Sequence, residues 1–464
     1  MDFREEQDSM GVVRVPMEAY YGAQTERARQ NFAISGQRLP MDFIRALGLI
    51  KKQAAMVNRD LGLLPAGLAV PIITAASEVA DGKHFEHFVV DVFQTGSGTS
   101  TNMNANEVIA GRANEILTGR RGGKEPVHPN DPVNMGQSSN DVIPSAIHIA
   151  GVCGVTNLLL PAVADLQETL SAKARDFAGV RKIGRTHLQD AVPMTLGQEF
   201  SGYARQMALG HERLQRALVS LLELALGGTA VGTGLNTASG FATLVIAGLA
   251  EESGCPFKEA KNHFEAQAGQ DAAVEMSGAL KTLAVSLSKI ANDIRWLGSG
   301  PRCGIGELVL PSLQPGSSIM PGKVNPVIPE AVLQVAAQVI GNDSTITVAG
   351  QSGVFELNVM LPVIAHNLLQ SIHLLVSAVT AFDKKCLRDL KAEKAQCAAN
   401  LEQSLALAAV FVPIIGYDKA AGLAKEAYSH KTTIREAAIR QQILPLEEIN
   451  RIIDEMIGER GRDL

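Results

Sequence analysis

The stretch MSGALKTLAVSLSKIANDIRWL, residues 276–297, carries the most regular pattern in the chain. Met276, Leu280, Leu283, Leu287, Ile290, Ile294 and Leu297 alternate steps of four and three without a break. That spacing places seven apolar side chains on one stripe of an α-helix, a coiled-coil-like seam of about three heptads. The stripe ends at Gly298-Ser299-Gly300-Pro301, a strong helix stop. A helix of this kind has to bury its stripe along other helices. The fold class read from it is therefore mainly α, with long helices in a bundle.

The rest of the chain agrees. A second seam runs through Leu361, Ala365, Leu368, Ile372, Leu375, Val379 and Phe382. Glu199 to Leu226 reads as another long helix closed by Gly227-Gly228, and Pro329 fits the first turn of a further one. Aromatic residues make up only 4% of the chain while Ala and Leu abound, which favours helix-on-helix packing over strands. Between the helices lie segments rich in Gly, Ser, Thr and Asn, at 95–106, 128–140, 184–193, 227–237 and 314–326. A bundle places function on such segments. The pattern divides the chain into a mixed, loop-rich helical domain at 1–137, a central long-helix bundle at 138–392 and a small helical domain at 393–464.

With 464 residues and 46% hydrophobic content, the chain can bury a large core. A formal charge of −6 and the lack of any Lys/Arg-rich block argue against nucleic acid as a partner. A small anion would have to be held by local groups. Cys153, Cys255, Cys303, Cys386 and Cys397 are scattered and form no C-x-x-C pair, which suits a reducing compartment. The N-terminus, MDFREEQDSM, looks like neither a signal peptide nor an organellar presequence. Leu361 to Phe382 is apolar but contains His366, Asn367, Gln370 and His373, too much polarity for a lipid-facing span. The expectation is a cytoplasmic protein with no membrane partner.

The segment with most chemistry is Gly316-Ser317-Ser318-Ile319-Met320-Pro321-Gly322-Lys323-Val324-Asn325-Pro326. Two hydroxyls, an ammonium and an amide crowd a glycine-containing loop whose N–H groups can approach a ligand. By composition alone it would pass for a connecting loop. It also resembles the signature of the fumarase/aspartase superfamily, G-S-x-x-M-x-x-K-x-N, with every fixed position filled. The resemblance continues in three more blocks in the family's order. These are Thr95-Gly96-Ser97-Gly98-Thr99 with Asn102 to Glu107, His128-Pro129-Asn130-Asp131 with Gln137 to Asp141, and Gly184 to Asp190. Thr186-His187, the Ser138-Ser139-Asn140 triplet and the tail Ile415 to Ala421 resemble the fumarase branch.

The resemblance implies reversible hydration of fumarate to malate. Removing the malate proton next to a carboxylate puts extra charge on that carboxylate, so donors aimed at its oxygens must supply most of the catalysis. Ser317 would be the base at that carbon. His187 would move the proton of water at the neighbouring carbon, with Glu330 as its orienting carboxylate. Glu330 is also where a helix N-terminus favours an acid. Ser97, Gly98, Thr99, Ser138, Ser139, Asn140, Thr186, Ser318, Lys323, Val324 and Asn325 would hold the substrate. His128, Pro129, Asn130 and Asp131 resemble a second dicarboxylate site. The family's assembly is a homotetramer with shared sites, and the two seams suit its central bundle.

No cofactor is implied, since the chain has neither a G-x-G-x-x-G after a strand nor a P-loop. No metal is implied either: His84 and His87 form H-x-x-H around Phe85-Glu86, unlike the zinc-protease motif. Cys303 reads as a packing residue. The rival within the superfamily is an ammonia lyase acting on aspartate, with argininosuccinate and adenylosuccinate lyases further off. The rival of another class is a silent structural homologue, which would have lost Ser317, His187 or Lys323. All three are present.

Overall fold

The structure, a computed structural model, describes residues 2–458. It is mainly helical. In chain order, β1 (Phe3–Asp8) and β2 (Gly11–Pro16) form a hairpin, followed by helices α1 (Ala23–Asn31), α2 (Met41–Asp60), α3 (Ala66–Ala80), α4 (Thr99–Thr118), α5 (Ser139–Gly154) and α6 (Leu160–Asp176). A second hairpin, β3 (Arg181–Thr186) and β4 (Gln189–Thr195), precedes α7 (Leu196–Leu221), α8 (Phe241–Ser253), α9 (His263–Ala268) and α10 (Asp271–Leu297). Then come α11 (Val327–Gly350), α12 (Leu361–Phe382) and five shorter helices, α13 (Lys394–Gln403), α14 (Val412–Ile415), α15 (Tyr417–His430), α16 (Ile434–Arg440) and α17 (Leu446–Gly458).

The chain packs as two units. One comprises residues 1–161, 212–284 and 337–376, and the other residues 162–211, 285–336 and 377–464. In the first unit α2 packs against α3, α5 and α8, and α3 against α4. Its apolar positions Phe43, Ile44, Leu47, Ile50, Ala54 and Val57 are all buried. Polar ties fix the register of the long helices here. Ser277 Oγ and Lys281 Nζ both donate to Asp343, at 2.8 and 2.6 Å. Buried Asn342 donates to Gln370 Oε1 at 2.9 Å and Ser371 Oγ at 3.0 Å.

In the second unit Tyr203 of α7 donates to Asp293 of α10 at 3.0 Å, and the Lys289 ammonium sits over its ring. Shorter helices close a separate core in which Leu407, Phe411, Leu423, Ile434 and Ile449 meet Ile183 from β3. The Gly416-Tyr417-Asp418 break separates α14 from α15, with Gly416 at φ 83°.

Both seams form the helices their spacing requires, over 271–297 and 361–382. Every seam residue is at most 5% exposed. The seams are thus buried inside the chain and are not available to a central bundle between copies, contrary to the expectation from sequence. Apolar side chains left uncovered on the long helices lie elsewhere: Val219 on α7, Val285 and Trp296 on α10, and Ile340 and Val348 on α11.

The helix read at Glu199–Leu226 runs instead from Leu196 to Leu221. It starts early because Thr195 and Gln198 cap it reciprocally, each side chain accepting the other's backbone N–H at 3.1 and 3.0 Å. It ends early because Glu223–Leu224 pairs in parallel with Lys258–Glu259. Two helical stretches, Ser139–Asp176 and Leu361–Leu387, are long and apolar enough to cross a membrane by composition, but 61% and 50% of their most apolar windows are buried within the chain.

Truncating the seam at Ile290, which is fully buried, should cost about 2–5 kcal/mol through lost burial and the residual cavity. The measurement is the midpoint of thermal or denaturant unfolding of Ile290→Ala, which should fall well below that of the unmodified chain.

Candidate active site

In the first unit, two helix N-termini are drawn together. Gly98 caps α4 in the left-handed region, at φ 72°, and a Cβ there would sit 3.0 Å from Ile143 on α5. Only glycine satisfies both conditions without strain. Thr99 Oγ1, in the first turn of α4, hydrogen-bonds to buried Ser97 Oγ and to Ser139 Oγ, each at 2.7 Å. The chain of hydroxyls therefore links the start of α4 to the start of α5. Unpaired N–H groups at such termini, with the helix dipoles behind them, form an anion-binding arrangement.

Ser138 is the N-cap of α5. Its hydroxyl accepts the Asn140 N–H at 3.2 Å, and Asp141 takes the Ser138 N–H at 2.9 Å. Asp141 is fully buried and also accepts the Gly227 and Thr229 N–H groups at 3.0 Å. Burial pushes its carboxyl up, against the pull of those donors and of Lys51. Asn140 gives its amide to the Ala230 carbonyl at 2.8 Å, so Asn140 holds the 227–237 segment. Just before, His128 to Asp131 forms a tight turn in which His128 Nδ1 accepts the Asn130 N–H at 3.2 Å and lies 3.4 Å from Asp131.

The second unit holds the other predicted groups. Thr186 and His187 sit at the tip of the β3–β4 hairpin, where Thr186 pairs with Gln189 across a two-residue turn. The two turn residues, His187 and Leu188, both have positive φ, 56° and 60°. This is primed-turn geometry usually given to Asn-Gly, and it costs non-glycine residues energy. The turn leaves His187 exposed.

The base of the hairpin is held by charge. Glu307, with no exposed side-chain surface, accepts two bonds from Arg185, at 3.1 and 2.6 Å, and one from Asn400 at 3.1 Å. Lys182, also buried, lies 3.3 Å from Glu307 and donates to Glu199 at 2.7 Å. Burial raises the Glu307 carboxyl, but Arg185 and Lys182 outweigh it and hold it below the usual range.

The signature loop closes on itself. Gly316 N–H donates to the Lys323 carbonyl at 2.8 Å, and Asn325 Nδ2 donates to the Gly316 carbonyl at 2.9 Å. A Cβ on Gly316 would stand 2.6 Å from that Lys323 oxygen, so the closure requires glycine. Within the loop, Ser317 Oγ accepts the N–H groups of Ile319 and Met320, at 3.2 and 3.1 Å. Two donors on one hydroxyl oxygen stabilise the charge it would carry as an alkoxide. Ser318, Lys323 and Val324 are exposed, and Glu330 is half-buried in the first turn of α11. Among the described residues, no hydrogen bond or ion pair within the chain engages the side chains of His187, Lys323 or Glu330. The His187–Glu330 pairing implied by the resemblance is thus not made by these two residues within one chain.

Sequence reasoning assigned no role to the supports Lys51, Asn134, Arg185 and Glu307: charged side chains usually face solvent, and nothing local marks a lysine, arginine or glutamate that the fold will enclose. A cavity of about 1300 Å³ beside the hairpin tip is lined by Leu188, Gln189 and Asp190 with residues of the C-terminal helices, and by none of the predicted site residues. His84, Glu86 and His87 bring three ligand-type atoms within 4.8 Å of one another. His84 is already bonded to Glu78, which Arg112 also holds, so this cluster has a structural explanation.

Comparison with known proteins gives the family of the chain. The lyase family matches residues 11–341, and the fumarase C C-terminus family matches residues 407–456. The class II fumarate hydratase of Nitrosomonas europaea is 55% identical over 452 residues, covering 97% of this chain and 98% of that one. The chain belongs to the class II fumarate hydratase family. Mitochondrial fumarate hydratase 1 of Arabidopsis thaliana is 52% identical over 98% of this chain and 93% of its own. The crystal structure of recombinant class II fumarase from Schistosoma mansoni superposes with a TM-score of 0.95 at 40% identity, covering all of both chains. The mainly α fold of the family is therefore the fold of this chain.

Replacing Glu307 by Leu leaves Arg185 and Lys182 without their shared counter-ion, which should cost about 3–5 kcal/mol. Because the folded carboxyl is held below its unfolded value, the contribution is present above the unfolded pKa and fades as pH falls through the folded one. Unfolding midpoints across the acid range should therefore show Glu307→Leu far less stable than the parent near neutrality, with the gap narrowing in acid.

Proposed function

We propose that this chain hydrates fumarate to (S)-malate and catalyses the reverse dehydration, with Ser317 as the carbon base. The observation that carries the mechanism is the pair of N–H donors on Ser317 Oγ. A serine is a poor base until something stabilises its anion, and two backbone dipoles aimed at the oxygen do so without adding another titratable group. The base takes the C3 proton of malate. Lys323, Ser318, Val324 and the loop N–H groups face the carboxylate that gains charge, while Asn325 holds the loop closed. His187 handles the proton of the departing water, with Glu330 as its carboxylate partner. Ser97, Gly98, Thr99, Ser138, Ser139, Asn140 and Thr186 hold the dianion. His128, Pro129, Asn130 and Asp131 form a second dicarboxylate site.

The same reading extends to assembly. Side chains from distant blocks have to meet on one small ligand, and His187 and Glu330 do not pair within the chain. A homotetramer with sites shared between copies supplies the missing partners. The uncovered apolar residues Val285, Ile340 and Val348 supply surface for it. The domains of each copy are those at 1–137, 138–392 and 393–464, and the protein works in the cytoplasm.

Turnover, inhibitor binding and proton exchange test this. Malate mixed with the purified protein should produce the ultraviolet absorbance of fumarate, whereas fumarate from aspartate alone would make the chain an ammonia lyase. Ser317→Ala should lose nearly all turnover while still binding a dicarboxylate inhibitor. His187→Asn should lose about 10²–10⁴-fold, the usual worth of a positioned acid–base group. The His187 variant should keep exchanging the malate C3 proton with solvent and the Ser317 variant should not; the opposite result would reverse the two roles.

Assembly is checked separately. Ile340→Glu or Val348→Glu should give smaller species of low activity by light scattering. A fully active monomer at high dilution would exclude shared sites.

A further inference from the structure

The first unit contains a buried cation that the mechanism does not use. Lys51, in the middle of α2, is fully buried. Its Nζ donates to Asn134 Oδ1 at 2.9 Å. That same oxygen accepts Asn102 Nδ2 and Asn106 Nδ2 from α4, each at 3.2 Å. Asn134 Nδ2 in turn donates to the Gln137 carbonyl at 3.1 Å, immediately before the Ser138 cap. Two turns further along α2, Asn58 donates to the Met135 carbonyl at 3.1 Å. One face of α2 thus holds the segment that leads into Ser138, Ser139 and Asn140. It also ties that segment to α4, whose first turn carries Thr99.

We infer that Lys51 is a positioning residue for dicarboxylate binding: its ammonium clamps Asn134, and through it sets the backbone that presents Ser138, Ser139 and Asn140 against Thr99. This rests on reading that face as the carboxylate-binding one. A lysine is a costly way to build a core, since burial opposes its charge. An apolar residue of similar length would pack α2 without it. What an apolar residue cannot do is donate to the amide oxygen on which two asparagines already converge. Among the described residues, Asn102 Oδ1 and Asn106 Oδ1 are buried without hydrogen-bond partners, so the cluster is short of donors and the ammonium supplies the only charged one on Asn134 Oδ1.

The charged neighbours define how the clamp responds to pH. From α5, Asp141 is the carboxylate that acts on Lys51. His148 of the same helix is turned to the Glu223 carbonyl. Glu107 of α4 is engaged by the N–H groups of Gly22, Gln24 and Thr25. Glu252 of α8 is engaged by Lys52 and Gln53, and Glu78 of α3 by Arg112 and His84. Burial brings the lysine down to about 7, with Asp141 opposing the shift. The amine formed above that pH can still donate to Asn134, but without charge assistance, and it no longer balances Asp141. Dicarboxylate binding should therefore weaken as pH rises through this range.

The test is steady-state kinetics with malate on the full-length assembled protein, together with calorimetric binding of a dicarboxylate inhibitor. Turnover by the parent protein establishes the underlying reading first; its absence would refute that reading, and with it the positioning role of Lys51. Lys51→Met should raise KM and the inhibitor Kd about 10–100-fold, the equivalent of one charge-assisted hydrogen bond, with a much smaller change in kcat. The alkaline rise in KM seen in the parent should flatten. Leu47→Ala, an equally buried site on the same helix, should lower thermal stability without moving KM. If Lys51→Met does not fold, Asn134→Ala removes the same bond from a half-buried position and should give the same rise in KM. Parental KM in a folded Lys51→Met or Asn134→Ala protein would overturn the inference. So would equal KM shifts in Lys51→Met and Leu47→Ala.

Discussion

The apolar seam of α10 is the constraint from which the rest follows. A stripe of seven buried side chains along 22 residues can be covered only by elements that run beside it for its whole length, so the neighbouring helices must also be long. Long helices packed in this way satisfy their own backbone and leave few exposed main-chain groups for a ligand. Chemistry is displaced to the segments that connect them and to their ends. Apolar packing alone would also let such helices slide against one another. The ties at Asp343, Asn342 and Asp293 resist this, because shifting a helix by one turn would strand a buried polar group.

A dianionic substrate bound by a chain of net charge −6 cannot depend on a general positive field. What the chain offers locally is dipoles: in the first unit two helix N-termini joined by the Ser97–Thr99–Ser139 hydroxyls, and in the second the signature loop with one lysine. Dipoles have short reach, so their value depends on backbone placement. In each unit a fully buried carboxylate provides that placement. Asp141 gathers three backbone N–H groups directly beside Asn140, and Glu307 gathers Arg185 one residue before Thr186. Neither carboxylate needs to touch substrate. Each is costly to bury unless fully bonded, and that cost holds the local backbone in a single arrangement.

What could be read from sequence divides along the same line. The seams at 276–297 and 361–382 were legible because helical periodicity is a property of the local sequence. Which face would stay uncovered was not, because burial of one stripe says nothing of the others; Val285 lies between seam positions and only the fold shows it to be exposed. The β3–β4 hairpin was invisible. Its strands carry Arg181, Lys182, Arg185, Asp190 and Pro193 in no alternating order, and its turn lacks the glycine or asparagine that marks such turns. Lys51 and Lys52 stand side by side, yet one is sealed in the core while the other bonds Glu252 at the surface. Nothing in the pair says which. The site residues were named through the resemblance of four blocks to a family, and their side-chain geometry came only with the fold.

The hairpin tip shows how local strain and buried charge depend on each other. Two adjacent non-glycine residues in the left-handed region cost roughly 1–2 kcal/mol apiece. A free hairpin would relax by slipping its register or opening its turn. In this chain Ile183 is locked in the C-terminal core and Arg185 is locked to Glu307, so the strands on either side cannot shift. Strain at His187 is therefore sustained from below, and its effect is to fix an exposed imidazole at the end of a rigid arm. Asparagine tolerates the left-handed region better than most residues. Replacing His187 by asparagine thus removes the ring and leaves the turn intact, so lost activity can be assigned to the missing imidazole. Glycine would relax the turn together with the chemistry and confound the two.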